Sequence, residues 1–174
     1  MNFKTCLVLA LFVCLSFAGF IPQGYKQNDQ RWSSITIGFG QKTIGEDGSL
    51  ITSLASIAAG MGLFYDGNLI TPKHMNNMLK YNDGFVQKDQ VILEALTPIG
   101  IEFAGFTVDR DTMTHAIHDG KVLIMKLKNE NRFVVGFYEI SGFFYCMEPN
   151  PSTVSNFDYF VFRQFESAYI FNIY

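Results

Sequence analysis

Apolar residues recur at helical spacing directly after a glycine-marked turn in the first third of the chain. The turn is Thr43–Ser49, and glycines at positions 60 and 62 end the apolar pattern that follows it. The sequence therefore predicts a helix that begins at Ser49. This serine either caps the helix or presents a nucleophile at its N-terminus, where the helix dipole stabilises negative charge. The apolar positions on one helical face are Leu50, Leu54, Ile57, Ala58 and Met61.

Three further helices are predicted before the pattern changes. Pro72 at an allowed first-turn position starts a helix that continues to Tyr81, where Asn-Asp-Gly stops it. Asp89 begins the next helix, which Pro98 and Gly100 close. A short helix with an acidic start is predicted over Asp109–His118.

The second half of the chain has the pattern of β-strands. Aromatic and β-branched residues are dense there, and short polar turns separate the apolar runs. Helices followed by hairpins predict an α+β domain, with N-terminal helices packed on a C-terminal antiparallel β-sheet. The predicted strands are Ile101–Val108, Val122–Leu127, Arg132–Ile140, Phe143–Met147, Tyr159–Phe165 and Ala168–Ile173.

Residues 1–18 have the pattern of a secretory signal peptide. Lys4 precedes the run Cys6–Phe17, which is apolar except for Ser16, and small residues lie at positions 16 and 18. A transmembrane anchor is the alternative, but crossing a bilayer takes ~20 apolar residues. We therefore predict cleavage after Ala18, secretion, one domain over residues 19–174, and no membrane span in the mature chain.

Composition excludes some partners and constrains the core. The chain carries 16 acidic and 13 basic residues, and no basic run argues for a nucleic-acid partner. Cys6 and Cys14 leave with the signal peptide, so Cys146 is alone and no intrachain disulfide is expected. With 18 Phe and 8 Tyr, stability is expected to come from packing.

Several segments together resemble a C39-like peptidase domain. The arm YKQNDQRW (Tyr25–Trp32), the turn TIGEDGS and the helix LITSLASIAAGMG match the N-terminal half of that family. KVLIMKL and NRFVVGFYEISGFFYCMEPNP are similar, more loosely, to its later strands and Asp-Pro loop. The resemblance implies a papain-like cysteine peptidase fold.

The catalytic dyad of that family is not preserved here, whereas its glutamine and a carboxylate are. The resemblance places the nucleophilic cysteine at Ser49 and the catalytic histidine at Arg132. It places the orienting aspartate at Glu148 and the oxyanion-binding glutamine at Gln27. The nucleophile–base dyad is therefore replaced at both positions. We expect Arg132 and Glu148 to form a bidentate ion pair across the former cleft, with head groups within ~6 Å.

The chemistry of these replacements argues against catalysis. A serine hydroxyl needs a general base within hydrogen-bond reach, and a guanidinium stays protonated. Glu46 and Asp47 are near in sequence, but an ordinary carboxylate is a weak base for serine. An active hydrolase that uses Ser49 would need a histidine brought in by the fold.

The three histidines offer one alternative chemistry. His115 and His118 are spaced for a zinc pair, but a third ligand is not evident, and we favour two solvated histidines. His74 is interpreted as a surface or capping residue. No metal or cofactor is expected.

Three functional hypotheses follow. The favoured one is a catalytically inactive, secreted domain that binds a peptide, glycan or protein ligand. The second is an active hydrolase or peptidase with Ser49 as nucleophile. The third is a structural subunit of an extracellular assembly, in which the aromatic segment Phe157–Tyr174 forms an interface; the alternative is that these aromatics are core strands, which their alternation favours.

Overall fold

The computed structural model describes residues 19–65, 67–150, 152 and 155–174. The predicted signal peptide lies outside these residues. The described chain contains both helices and a large antiparallel sheet, which confirms the α+β class. The helices are α1 (Ile44–Asp47), α2 (Ser49–Gly60), α3 (Pro72–Tyr81) and α4 (Arg110–His118), with 3₁₀ helices at Leu93–Ile99 and Phe162–Gln164.

Six strands form the main sheet and four short strands form two small hairpins. The hairpins are β1 (Phe64–Tyr65) with β2 (Asn68–Leu69), and β3 (Phe85–Val86) with β4 (Gln90–Val91). In the main sheet the spatial order is β5-β10-β6-β7-β8-β9, and every neighbouring pair is antiparallel. Its strands are β5 (Ile101–Thr107), β6 (Val122–Leu127), β7 (Phe133–Ile140), β8 (Phe143–Met147), β9 (Phe157–Val161) and β10 (Phe165–Ile173).

Helices cover both faces of this sheet. Along β6, Val122 and Ile124 pack in the cluster that contains α2 and α3, whereas Leu123 and Met125 pack in the cluster that contains α4. Successive side chains of a strand point to opposite faces, so the two clusters lie on opposite sides. The predicted order of helices first and sheet second is thus incomplete, because α4 follows the first long strand and packs on the far face.

Helix α2 is the centre of the larger cluster. Ser49 and all residues from Ile51 to Ala59 are buried, so the prediction of a single apolar face was too narrow. The sheet, α3 and the N-terminal arm surround the helix, and the Gln23 N–H donates to the Ser56 carbonyl at 2.9 Å. Serine and alanine at its buried positions leave room for this close approach.

The arm before α1 is anchored by the only tryptophan of the chain. The Trp32 side chain is 1% exposed, and its indole N–H donates to the Lys26 carbonyl at 2.8 Å. The Tyr25 ring meets Trp32 edge-on, with centroids 5.4 Å apart. Trp32 is therefore a packing residue of the core.

Two predicted boundaries were wrong for local reasons. The helix predicted from Asp89 begins only at Leu93 and is a 3₁₀ helix, because residues 85–91 form the β3–β4 hairpin instead. The strand predicted over Tyr159–Phe165 is broken by the 3₁₀ turn Phe162–Gln164, so β10 is one long strand starting at Phe165.

The C-terminal aromatic residues are mainly core residues. Phe160, Phe165 and Phe171 are buried, whereas Tyr159 and Tyr174 are exposed. This confirms the core-strand interpretation for most of the segment.

The outer edge of β9 is closed by the chain itself. Its outward N–H groups at Phe157, Tyr159 and Val161 donate to side-chain oxygens of Ser155, Asp158 and Gln164 at 2.8–3.1 Å. Occupied donors make an edge strand a poor template for a further strand.

Candidate functional site

The turn before α2 is shaped by one capping box and one glycine. The Thr43 N–H and hydroxyl donate to the Glu46 carboxylate at 2.8 and 3.0 Å, which starts α1 and lowers the pKa of Glu46. At Gly48 an added Cβ would lie 2.4 Å from the Ile44 carbonyl oxygen. Only glycine therefore fits between the two helices, and this fixes the position of Ser49.

Ser49 is not the helix cap that the sequence suggested. It is the first residue of α2, Gly48 takes the cap position, and the Ser49 side chain makes no capping bond. Its hydroxyl oxygen instead accepts the Phe133 N–H at 3.1 Å, and the residue is 2% exposed. Within the described residues no histidine or carboxylate is bonded to Ser49, so it lacks a base there.

Arg132 and Glu148, two further residues that the resemblance assigns to the site, contact each other as expected. Arg132 Nη1 and Glu148 Oε2 are 3.5 Å apart, inside the predicted limit. The contact is not bidentate, because Glu148 Oε2 accepts no hydrogen bond from any described residue. Arg132 also contacts Glu130, with Nε to Oε2 at 2.8 Å and an Nη2 to Oε1 hydrogen bond at 3.4 Å.

Glu148 is far more deeply buried than Glu130, the other carboxylate that contacts Arg132. It is 1% exposed, and burial raises the pKa of Glu148 above its ordinary value. The Asn150 N–H, which donates to Oε1 at 2.8 Å, and the charges of Arg132 and Lys26 act in the opposite direction. The carboxylate is therefore held by one backbone donor and two cations in a poorly solvated place.

Gln27 lies beside the same turn with its amide already engaged. Its Nε2 donates to the Gly45 carbonyl at 3.0 Å, and its backbone N–H donates to the Pro149 carbonyl at 3.0 Å. Gln27 thus ties the arm to both the α1 turn and the loop after β8. One of its two side-chain N–H donors is therefore used structurally.

Cys146 is not placed to act as a nucleophile. Its side chain is buried, and burial raises the pKa of the Cys146 thiol well above its ordinary value. A protonated, buried thiol is inert toward substrates.

The histidines lie elsewhere. Thr71 caps α3, because its Oγ1 accepts the His74 backbone N–H at 3.3 Å. The His74 ring completes the capping box by accepting the Thr71 N–H on Nδ1 at 3.5 Å, which confirms the capping interpretation. His118 on α4 contacts the buried Glu139 carboxylate at 3.1 Å, on the sheet face opposite to Ser49. Among the described residues no group of three His, Cys, Asp or Glu side chains is placed to hold a metal ion.

An open cleft of about 800 Å³ borders the start of α2. One wall is the β3–β4 turn, where Gln87 and Lys88 have φ of 50° and 79°. The Lys88 carbonyl accepts the Phe39 N–H at 2.6 Å, and only glycine fits at position 38, because a Cβ there would lie 2.3 Å from the Lys88 oxygen. These interlocked turns hold the wall in place.

The opposite wall and floor of the cleft come from the sheet and α2. The Phe133 and Tyr169 rings stack with centroids 6.1 Å apart. Asp47 accepts from Asn131 Nδ2 at 2.6 Å and from Lys42 Nζ at 3.2 Å, which joins the two sides near the helix start. The described lining residues are Ile37, Gly40, Gln41, Lys42, Asp47, Leu50, Ile51, Gln87–Val91, Asn131, Phe133 and Tyr169, and Ser49 is not among them.

The β3–β4 wall of the cleft differs from what the sequence predicts. The sequence predicts a helix that begins at Asp89, although an apolar pair on each side of Gln87–Gln90, Phe85-Val86 and Val91-Ile92, is a hairpin signal. The Asn131–Asp47 bond joins residues 84 positions apart, and no local pattern indicates it.

Comparison of the chain with protein-family models, with curated proteins and with solved structures gives no match. No helix in the described part of the chain is both long enough and apolar enough to cross a bilayer.

Proposed function

We propose that this chain is a secreted, catalytically inactive relative of C39-like peptidases, with a papain-like fold, that binds a peptide, glycan or protein segment in the cleft beside α2. The observation that carries the proposal is the separation of cleft and serine. The cleft opens at the start of the helix, while the Ser49 hydroxyl is buried and accepts the Phe133 N–H.

The arrangement of the replaced residues supports a peptidase ancestry. Ser49 contacts the first residue of β7, Arg132 immediately precedes that strand, and Glu148 follows β8 and contacts Arg132. A nucleophile, base and orienting carboxylate need this kind of succession of neighbours. Here serine and arginine stand where the nucleophile and the base would be, so the order of contacts is kept but the general base is lost.

The lining of the cleft suggests an uncharged or charge-balanced ligand. Its apolar floor includes Leu50, Ile51 and Phe133, and its cationic and anionic side chains occur in equal number. Amide side chains both donate and accept hydrogen bonds, as main-chain amides and sugar hydroxyls require. The amide side chains of the lining are Gln41, Gln87, Gln90 and Asn131.

We expect the full chain to bind members of a decapeptide array or an oligosaccharide array, and the double substitution Gln41→Ala/Gln90→Ala to weaken that binding about tenfold, because two exposed rim amides are lost. Hydrogen–deuterium exchange with the bound probe should show protection in residues 37–51 and 87–91.

Gln30→Ala is the matched control, since Gln30 is exposed and lies outside the cleft. Binding that is unchanged in the double variant, protection confined to other regions, or no binding to either array would overturn the cleft assignment.

A further inference from the structure

A second, smaller pocket of about 270 Å³ lies between the β6–β7 turn and the 3₁₀ helix Phe162–Gln164. Leu127 and Phe160 form its apolar floor and are buried. It shares no lining residue with the cleft: around the start of β7, Asn131 and Phe133 face the cleft, while the alternate residues Glu130 and Arg132 face the pocket. It is therefore a separate feature of the surface.

The charge of this pocket contrasts with the charge of the chain. Lys128, Arg132 and Arg163 line it together with one carboxylate, Glu130, whereas the whole chain has a net charge of −3. Three cations around so small a volume repel one another, and a bound anion would relieve that repulsion.

The three cations are not equivalent. Arg132 is held by its contacts to Glu130 and Glu148. Lys128 and Arg163 are exposed, and their side chains make neither an ion pair nor a hydrogen bond with any other described residue. Two cationic head groups therefore remain available to a ligand.

The amides beside them supply further donors. Gln164 Oε1 accepts the Val161 N–H at 2.8 Å, which orients the Gln164 side chain and leaves its NH₂ group to donate. Asn129 lies on the turn opposite, at φ 60°. A guanidinium, an ammonium and amide donors around an apolar floor match the oxygens of a tetrahedral anion.

We propose that this pocket binds the sulfate or phosphate group of a small ligand through Lys128 and Arg163, with Gln164 and Asn129 as additional donors. Arg132 contributes positive charge from a fixed position.

The test is a titration of the ¹⁵N-labelled full chain with sodium sulfate, with chloride adjusted to hold ionic strength constant. Saturable amide shifts are expected in residues 127–132 and 160–164. The double substitution Lys128→Gln/Arg163→Gln should raise the dissociation constant at least about tenfold, because two charge-assisted bonds are lost. Lys73→Gln is the matched control, since Lys73 is exposed on α3, away from the pocket.

Both variants alter exposed side chains, so their spectra should keep the dispersion of the parent protein. Glucose 6-sulfate and glucose 6-phosphate, with glucose as the neutral control, then identify the source of the anion: tighter binding of either ester than of inorganic sulfate assigns the site to an esterified ligand, and equal binding assigns it to the free anion. Shifts that chloride reproduces, or a titration that the double variant leaves unchanged, would overturn the proposal.

Discussion

Arg132→Met should lower the free energy of unfolding by about 3 kcal/mol at neutral pH, the low end for breaking a buried pair. Glu148 is 1% exposed and one of its oxygens accepts no hydrogen bond within the described structure, and the substitution removes the guanidinium 3.5 Å from that oxygen. For a chain of this size the loss corresponds to a melting temperature lower by roughly 6–12 °C. Thermal unfolding followed by circular dichroism measures it.

The loss in free energy of unfolding that Arg132→Met causes should depend on pH in a defined direction. Burial already raises the pKa of Glu148, and the Arg132 charge opposes that rise, so removing the arginine raises this pKa further. A carboxyl whose folded pKa exceeds its unfolded value stabilises the fold below the unfolded pKa and loses that contribution as pH rises through the folded pKa. The Arg132→Met deficit should therefore shrink toward pH 4.5, the ordinary value for this group, and grow above it.

Two further variants isolate the buried charge. Arg132→Met/Glu148→Gln should be more stable at neutral pH than Arg132→Met alone, because the glutamine keeps an acceptor for the Asn150 N–H without a charge. Arg31→Met is the control: its partner Asp29 is on the surface, where ion pairs contribute about 0–1 kcal/mol. Equal losses for Arg132→Met and Arg31→Met, with no pH dependence, would contradict this explanation.

Trp32→Ala should cost about 3–5 kcal/mol of stability, the range for truncating a buried aromatic side chain. It removes a fully buried ring, its edge-on contact with Tyr25 and its hydrogen bond to the Lys26 carbonyl. The melting temperature should fall by roughly 6–20 °C.

The effect should also reach the loop after β8. Lys26 Nζ donates to the carbonyls of Glu148 and Asn150, each at 2.9 Å, so a loosened arm should expose that loop to faster amide exchange. Trp32→Phe is the matched control: it keeps most of the ring and loses one hydrogen bond, which costs about 1 kcal/mol. A Trp32→Ala variant as stable as Trp32→Phe would show that the ring does not anchor the arm.

The parts of the fold that local chemistry determines were predictable from the sequence. Helix α3 is an example: Thr71, Pro72 and the Asn-Asp-Gly stop specify both ends without tertiary contacts, and the structure has the helix at Pro72–Tyr81. The strand β6 is another, because its apolar run is bounded by lysines and buried on both faces.

What depends on distant neighbours was not predictable in this way. Serine is a common capping residue, but the Ser49 hydroxyl oxygen accepts the backbone N–H of Phe133, which is 84 residues away in the sequence. The pairing of His118 with Glu139 joins a helix to a strand and has no sequence signal. The proximity of Arg132 and Glu148 was expected only because the resemblance assigned both to one site.

Peptide turnover by the full chain, expressed through a secretory route, decides whether the domain is catalytically inactive. A mixture of decapeptides covering all residue types is incubated with the protein and with its Ser49→Ala variant, and cleavage is quantified by mass spectrometry. We expect no cleavage above the protein-free control for either protein, because Ser49 is buried and no described base contacts it. Cleavage by the parent protein that Ser49→Ala abolishes would contradict this expectation.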